Sequence, residues 1–239
     1  MRRIVYSLAA LLAMPLLASA ATLSFDFGGD AAGEVGNVNN VYHNAQDVAN
    51  AIDTDGNATG ISLTVTSATG WNENGPNGNG PNPADAPMSD YFGVLTTQDN
   101  LFGHTDNFNV GAPRPLVEYT IAGLDGSGST SYDFIFAAGR LGATDNRETM
   151  YTVAGAGNDS VALDSAGNTG AIASLAGLLP MADGSMKLTI EPGPNNSNGS
   201  HFFYLGGMQI TTHGVPEPGS AVLMLLGAFV LPALRRNRK

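Results

Sequence analysis

Ser131-Tyr132-Asp133-Phe134-Ile135-Phe136-Ala137 is the stretch on which the fold turns. Side chains along a strand alternate between faces, so Tyr132, Phe134 and Phe136 fall on one side and predict a central core strand. Aromatic and β-branched residues suit that pleated, half-buried setting. Turn clusters flank it at 123–128 and 139–146, rich in Gly, Asp and Asn. The same pattern continues outward: residues 116–121, 149–154 and 160–164 read as strands, with a further turn at 155–159. Toward the N-terminus, Leu23, Phe25 and Phe27 alternate within 22–27, residues 61–66 form a clean strand, and 91–95 read as another. Toward the C-terminus, Met186, Leu188 and Ile190 alternate within 185–191, and 202–211 closes the set with a bulge predicted at Gly206-Gly207. One short helix is predicted over 45–52, where Val48 and Ile52 lie four apart. The stretches 28–44, 71–88 and 192–200 read as polar loops, and 171–180 as a weakly apolar passage. Eight or nine short strands with almost no helix predict an all-β fold, a single β-sandwich of jelly-roll type.

The ends of the chain differ from this body. Arg2 and Arg3 precede an apolar run, and Ala18-Ser19-Ala20 supplies a small-residue cleavage site before Ala21, so residues 1–20 read as a removable export signal. At the other end, Val215-Pro216-Glu217-Pro218-Gly219 leads into an apolar segment and then Arg235-Arg236-Asn237-Arg238-Lys239. The prolines hold Glu217 in an extended segment that cannot join a helix or sheet. The apolar segment 221–234 would span about 21 Å as a helix, short of a hydrocarbon core of about 30 Å. The closing cations favour the cytoplasmic side. The expected organisation is therefore a signal peptide over 1–20, a sandwich domain over 21–213 and a C-terminal segment over 214–239.

This tripartite tail resembles the PEP-CTERM sorting signal of Gram-negative bacteria, which a membrane protease called exosortase reads. The resemblance implies general secretion, transient inner-membrane association, cutting near Pro216-Glu217-Pro218, and a final place at the cell surface or outside the cell. It also implies the setting of exopolysaccharide production. A plain single-pass anchor is the competing reading. Within the body, residues 132–140, Asn146-Arg147-Glu148-Thr149, Ala182-Asp183-Gly184-Ser185 and Phe203-Tyr204-Leu205 resemble exported bacterial domains of galactose-binding-like jelly-roll type. That group includes many carbohydrate-binding modules, often with a structural calcium.

Charge and composition narrow the chemistry. Six of the ten basic residues lie in the terminal segments, leaving Arg114, Arg140, Arg147 and Lys187 against twenty acids, a net charge of about −16 for the body. Such a domain repels nucleic acid and anionic membranes. With no cysteine, the chain forms no disulfide, zinc-thiolate site or thiol nucleophile. No nucleophile elbow is present, and the four histidines are scattered through loops, so the body is expected to be non-catalytic.

Three groups are candidate contacts. Trp71 beside Asn72, Glu73 and Asn74 suits sugar recognition by an aromatic face and amides; the competing reading plugs Trp71 into the end of the sandwich. Arg147 flanks the 141–146 loop with Arg140, and its planar fork suits a uronic-acid carboxylate or sugar hydroxyls, or else a local acid such as Asp145 or Glu148. Asp53, Asp55 and Asn57 alternate as calcium ligands do, although Gly56 and Thr64 stand where an EF-hand loop would need other residues. His104 and Asp106 offer two further ligands without a third. The expected function is a surface or matrix protein with a polysaccharide-binding sandwich and no cofactor beyond a structural calcium. The rivals are a purely structural surface protein and an extracellular glycan-active hydrolase, whose paired carboxylates leave no spacing signature.

Overall fold

The computed structural model describes residues 20–29, 36–108 and 112–214. The expected cleavage residue Ala18 and the tail from Val215 through the sorting motif to Lys239 lie outside them. In chain order the strands are β1 (Thr22–Gly28), β2 (Asn39–Tyr42), β3 (Ser62–Val65), β4 (Asn77–Gly78), β5 (Asp99–Gly103), β6 (Val117–Ala122), β7 (Thr130–Ala137), β8 (Glu148–Ala154), β9 (Asn158–Asp164), β10 (Ala173–Leu178), β11 (Met186–Pro192), β12 (Phe203–Leu205) and β13 (Gly207–Gly214). Two short helical segments, α1 (Met88–Tyr91) and α2 (Val94–Gln98), lie between β4 and β5.

The strands form a β-sandwich. One five-stranded sheet runs β10-β7-β13-β1-β2 and the other β3-β6-β11-β8-β9. The stretch 131–137 is central to the first sheet, with β13 on one side and β10 on the other. Its register puts Phe136 opposite Met208 and Phe134 opposite Ile210, while β13 pairs Met208 with Phe25 and Ile210 with Leu23. One face of this sheet is thus apolar across the middle of its three inner strands, with Asn39 beside Phe25 at the edge. The second sheet answers with Ile190 between Val117 and Tyr151, and Leu188 between Tyr119 and Val153. Rings meet across the gap: Phe136 stacks on Tyr151 at 4.5 Å between centroids, and Phe27 meets Tyr119 edge-on at 5.9 Å. Each fully buried aromatic side chain contributes roughly 1.5–3 kcal/mol relative to leaving it exposed, so this seam dominates the stability.

A third, smaller sheet, β12-β5-β4, is what positions the candidate site. Phe203 pairs with Gly103, Tyr204 with Phe102 and Leu205 with Leu101. Gly103 is required there, because a Cβ at that position would collide with the Phe203 ring and lie 2.8 Å from the Arg114 carbonyl.

Several local expectations change. Residues 91–95 are not a strand: α1 and α2 occupy this region, with Phe92 buried and Val94 exposed. Residues 45–52 are not a helix, since Val48 N–H bonds the Leu63 carbonyl at 2.8 Å and Ala51 N–H the Ile61 carbonyl at 2.7 Å. Pairing with a ready strand outweighs a helix of barely two turns, which is marginal alone. The loop before Asn44 contains β2, parallel to β1. The passage 171–180 contains β10, whose register slips between Leu175 and Leu178, with Gly177 at φ +71°. The closing strand is two strands, and Gly206 is the crossing point between the small sheet and the large one rather than a bulge. The final strand also runs three residues past the expected end at Thr211, to Gly214. At the start, Ala20 is exposed and Ala21 already pairs with Thr212 through its N–H at 2.8 Å and its carbonyl at 2.9 Å.

Candidate functional site

The small sheet and the turn between β7 and β8 enclose a cleft of about 400 Å³. Phe102, Phe108, Phe202 and Tyr204 supply its aromatic lining, Arg140 and Arg147 its charge, and Asn74 and Asn77 its amides. A second cavity of about 460 Å³, at residues 44–47 and 67–70, has neither an aromatic ring nor a cation in its wall. Only the first offers the mixture of flat apolar surface and directional donors that orients a polar ligand.

Each cleft residue is held from behind. Arg140 leaves the end of β7, where Gly139 is clamped to β5 by the buried Asn100 side chain: Asn100 Nδ2 donates to the Gly139 carbonyl at 2.8 Å, and Gly139 N–H donates back to Oδ1 at 3.2 Å. The Arg140 N–H then bonds the Ser165 carbonyl at 2.7 Å. Arg147 enters β8 with its N–H on Asp164 Oδ1 at 2.9 Å and its carbonyl accepting from Ser165 Oγ at 3.2 Å. Tyr204 is pinned on both sides of its peptide unit. Its N–H donates to Thr149 Oγ1 at 3.0 Å and its carbonyl accepts from Tyr151 Oη at 2.7 Å.

The loop before Phe202 is built by asparagines. Asn196 Nδ2 spans the carbonyls of Glu148 and Phe202 at 2.9 and 2.8 Å, and Asn198 Oδ1 accepts from the N–H groups of Ser200 and Phe202 at 3.1 and 3.3 Å. Such side-chain-to-backbone bonds replace the ladder bonds an irregular segment lacks. They hold the Phe202 ring edge-on to Phe108 at 4.8 Å and to Phe102 at 5.8 Å.

The two guanidinium groups differ in their partners. Arg147 Nε donates to Asp145 Oδ1 at 2.9 Å, its Nη1 donates to the Tyr204 hydroxyl at 2.6 Å, and its Cζ lies 5.4 Å from the centre of the Phe202 ring. Burial alone would lower the Arg147 pKa, but the bonds to Asp145 and Tyr204 outweigh it and hold the group above its ordinary value. Burial raises the Tyr204 phenol, with Arg147 and Arg140 partly offsetting that rise. Asp145 is held below the usual carboxylate range, first by the bond from Asn198 Nδ2 at 2.5 Å and then by Arg147. Arg140 instead donates to the Gly78 carbonyl at 3.3 Å. Among the described residues no carboxylate pairs with it, whereas Arg114 pairs with Glu73, Arg147 with Asp145 and Lys187 with Glu118.

Of the residues singled out from the sequence, Arg147 is in the cleft, and with Asp145 as its acid. Trp71 is not. Its ring is 1 % exposed, donates from Nε1 to the buried Tyr119 hydroxyl at 2.7 Å, and packs 6.0 Å from Phe203. It plugs the sandwich and has no face for a sugar. Asn72 is buried with it: Nδ2 meets His104 Nε2 at 2.6 Å and Oδ1 accepts from Asn74 N–H at 2.8 Å. His104, fully buried, sends Nδ1 to the Asp106 carbonyl at 2.5 Å, so its partners place the ring proton on Nδ1. Both ring nitrogens are engaged within the protein.

Asp53, Asp55 and Asn57 lie on one hydrogen-bonded turn. Asp53 Oδ1 accepts from the N–H groups of Asn57 and Asp55 at 2.7 and 3.0 Å, and the Asn57 amide points its Nδ2 at the same carboxylate. These bonds, led by Asn57 N–H, hold Asp53 below its usual pKa. Among the described residues no group of three or more His, Asp or Glu side chains is disposed to hold a metal. The cleft residues that sequence reasoning missed are the aromatic lining, Phe102, Phe108, Phe202 and Tyr204, and the amide of Asn77. Phe202 and Tyr204 stood in a recognised strand, but nothing in the alternation told which of its residues would face the cleft.

The structure thus defines an all-β sandwich carrying an arginine- and aromatic-lined cleft on its smaller sheet. No family model matches the chain, and no curated protein does. Among solved structures, the carbohydrate-binding module CBM35 from Cellvibrio japonicus Abf62 is similar at 18 % identity over 65 % of this chain and 97 % of that one, with a TM-score of 0.30. An exo-β-1,3-galactanase from Phanerochaete chrysosporium, solved with galactose, is similar at 17 % identity over 66 % of this chain and 31 % of that one, with a TM-score of 0.25. Likenesses this slight decide neither fold nor ligand, which rest on the geometry above.

Proposed function

We propose that the protein is an exported, exosortase-processed component of the cell surface or extracellular matrix, and that its sandwich binds polysaccharide without catalysing a reaction on it. The observation that carries the binding reading is the cleft itself. Half-buried Phe108 and Phe202 offer apolar ring surface beside the guanidinium of Arg140 and the amides of Asn74 and Asn77, all held by backbone and asparagine bonds. A sugar ring presents C–H faces and outward hydroxyls, and that pairing of apolar wall and fixed donors is its complement. The export reading rests on the sequence of the two ends.

One observation favours the rival reading of a ligand-free structural protein: Arg147 is already satisfied by Asp145, Tyr204 and Phe202. Calorimetric titration of the natively purified protein with a panel of neutral and acidic polysaccharides separates the two. Saturable binding that weakens when Phe202 is replaced supports the binder; silence across the panel leaves the structural reading ahead. Mass spectrometry of the same material tests the export half, with loss of residues near both ends expected. Intact Met1 and Lys239 on protein retained inside cells would overturn it.

A further inference from the structure

We infer that the ligand of the cleft is anionic, a glycan bearing carboxylates, and that Arg140 is the residue that reads the charge; this rests on the glycan-binding reading above. The body has four cations against twenty acids, and two of those four line one cleft of about 400 Å³. In so acidic a domain a guanidinium ordinarily finds a carboxylate, and Arg114, Arg147 and Lys187 each have one. Arg140 has none among the described residues.

Apart from the Tyr204 hydroxyl, which it shares with Arg147, its protein partners are neutral acceptors at the edge of hydrogen-bonding range. Nη1 reaches the Gly78 carbonyl at 3.3 Å, and Nε reaches the Asn77 side-chain oxygen at 3.3 Å in the amide orientation that satisfies both groups. A guanidinium carries five N–H donors in a planar fork, so several remain for a ligand. That fork matches a carboxylate in two parallel bonds, which are shorter and stronger than neutral ones. The Gly139–Asn100 and Arg140–Ser165 bonds fix the backbone from which the side chain enters the cleft.

Neighbouring groups reinforce the preference. The Tyr204 hydroxyl lies where both guanidiniums act on it, and Arg147 behind it is paired with Asp145, which leaves Arg140 as the cation of the cleft without an acid among the described residues. Phe108 and Phe202 flank the charges, so a sugar ring can lie on apolar surface while its carboxylate meets Arg140. Neutral sugars would use the rings and meet the fork only through hydroxyls, without the two parallel charge-assisted bonds. The surrounding acids repel a polyanion at long range, and this makes a local, directional site necessary for one to bind at all.

The test compares a polyuronate, such as polygalacturonate or alginate, with its carboxyl-reduced neutral counterpart, using the natively purified protein and its R140Q and R140K forms. Reduction of the carboxyls is expected to weaken binding about 10- to 100-fold. R140Q is expected to weaken polyuronate binding by a similar factor, weaken the neutral polymer by no more than about threefold, since only a neutral hydrogen bond is lost there, and unfold within a few degrees of wild type because Arg140 has no acid to lose. R140K keeps the charge without the fork and is expected to recover only part of the affinity. Equal binding of the two polymers, or an R140Q protein that still distinguishes them, overturns the anionic assignment while glycan binding stands. Failure of both polymers to bind overturns the glycan reading together with it.

Discussion

The two long polar loops, residues 71–87 and 193–201, are alike in composition, and both reach the cleft, but they place their aromatic residues in opposite ways. Both are rich in Asn, Gly and Pro or Ser. The first carries Trp71 and Asn72 inward, where the indole meets Tyr119 and the amide meets His104. The second turns its own asparagines back on its backbone and delivers Phe202 to the cleft. The difference teaches that an aromatic ring beside amides is only half of a sugar site. The other half is which way the adjoining strand faces, and a buried donor such as the indole N–H goes wherever a buried acceptor waits.

The largest expected effect is on the inward loop. Trp71→Ala should cost about 3–5 kcal/mol in chemical denaturation, as deletions of large buried aromatics do. Because that variant can fail to fold, Trp71→Phe is the sharper instrument. It removes the donor to the Tyr119 hydroxyl and part of the indole's volume while keeping an aromatic plug, should cost about 1–3 kcal/mol, and should leave ligand affinity within about twofold of wild type. A folded Trp71→Phe protein that no longer binds its ligand would erase the contrast between the loops.

On the outward loop the balance reverses. Phe202→Ala takes away a half-buried ring and the surface under Arg147, so stability should fall by only about 1–2 kcal/mol. Ligand affinity, measured by titration calorimetry, should fall about tenfold. A large stability loss with unchanged affinity would show that Phe202 is core in the same sense as Trp71.

The smallest effect concerns acid. The folded protein holds Asp145 below its unfolded pKa, chiefly through Asn198 and then Arg147. Its share of stability is therefore complete above about pH 4 and drains away as pH falls through the lower folded value. Asp145→Asn should cost at most about 1 kcal/mol at pH 7, given the exposure of the pair, with the gap to wild type closing toward pH 3. Urea titrations at the two pH values measure it. A gap that widened in acid would mean the Asp145 contact stabilises the protonated form.

Much of the sandwich was legible because alternation survives where both neighbours of a strand are regular. Residues 130–137, 148–154 and 186–192 show this, each with one largely apolar buried face. It failed where a single residue breaks the period. Gly177 shifts the register of β10 and hides Ala173 and Leu175 as an inward pair, and Gly206 turns one apparent strand into two on different sheets. It also failed where partners lie far away in sequence: residues 48 and 51 are extended because Leu63 and Ile61 are beside them, which no local window contains. For the site, the scarcity of cations pointed to Arg140 and Arg147. Nothing pointed to Phe102 and Phe108, since a phenylalanine in a short strand reads as core whichever side it faces.

By itself the amino-acid order determined an all-β, cysteine-free, strongly acidic sandwich, because periodicity and composition are local and additive. Only the tertiary structure decided that Trp71 is a plug, that the Asp53 turn closes on itself, and that Arg140, Arg147, Phe202 and Tyr204 meet. Those outcomes depend on register between strands as much as a hundred residues apart, where one step of slip would turn every side chain to the opposite face.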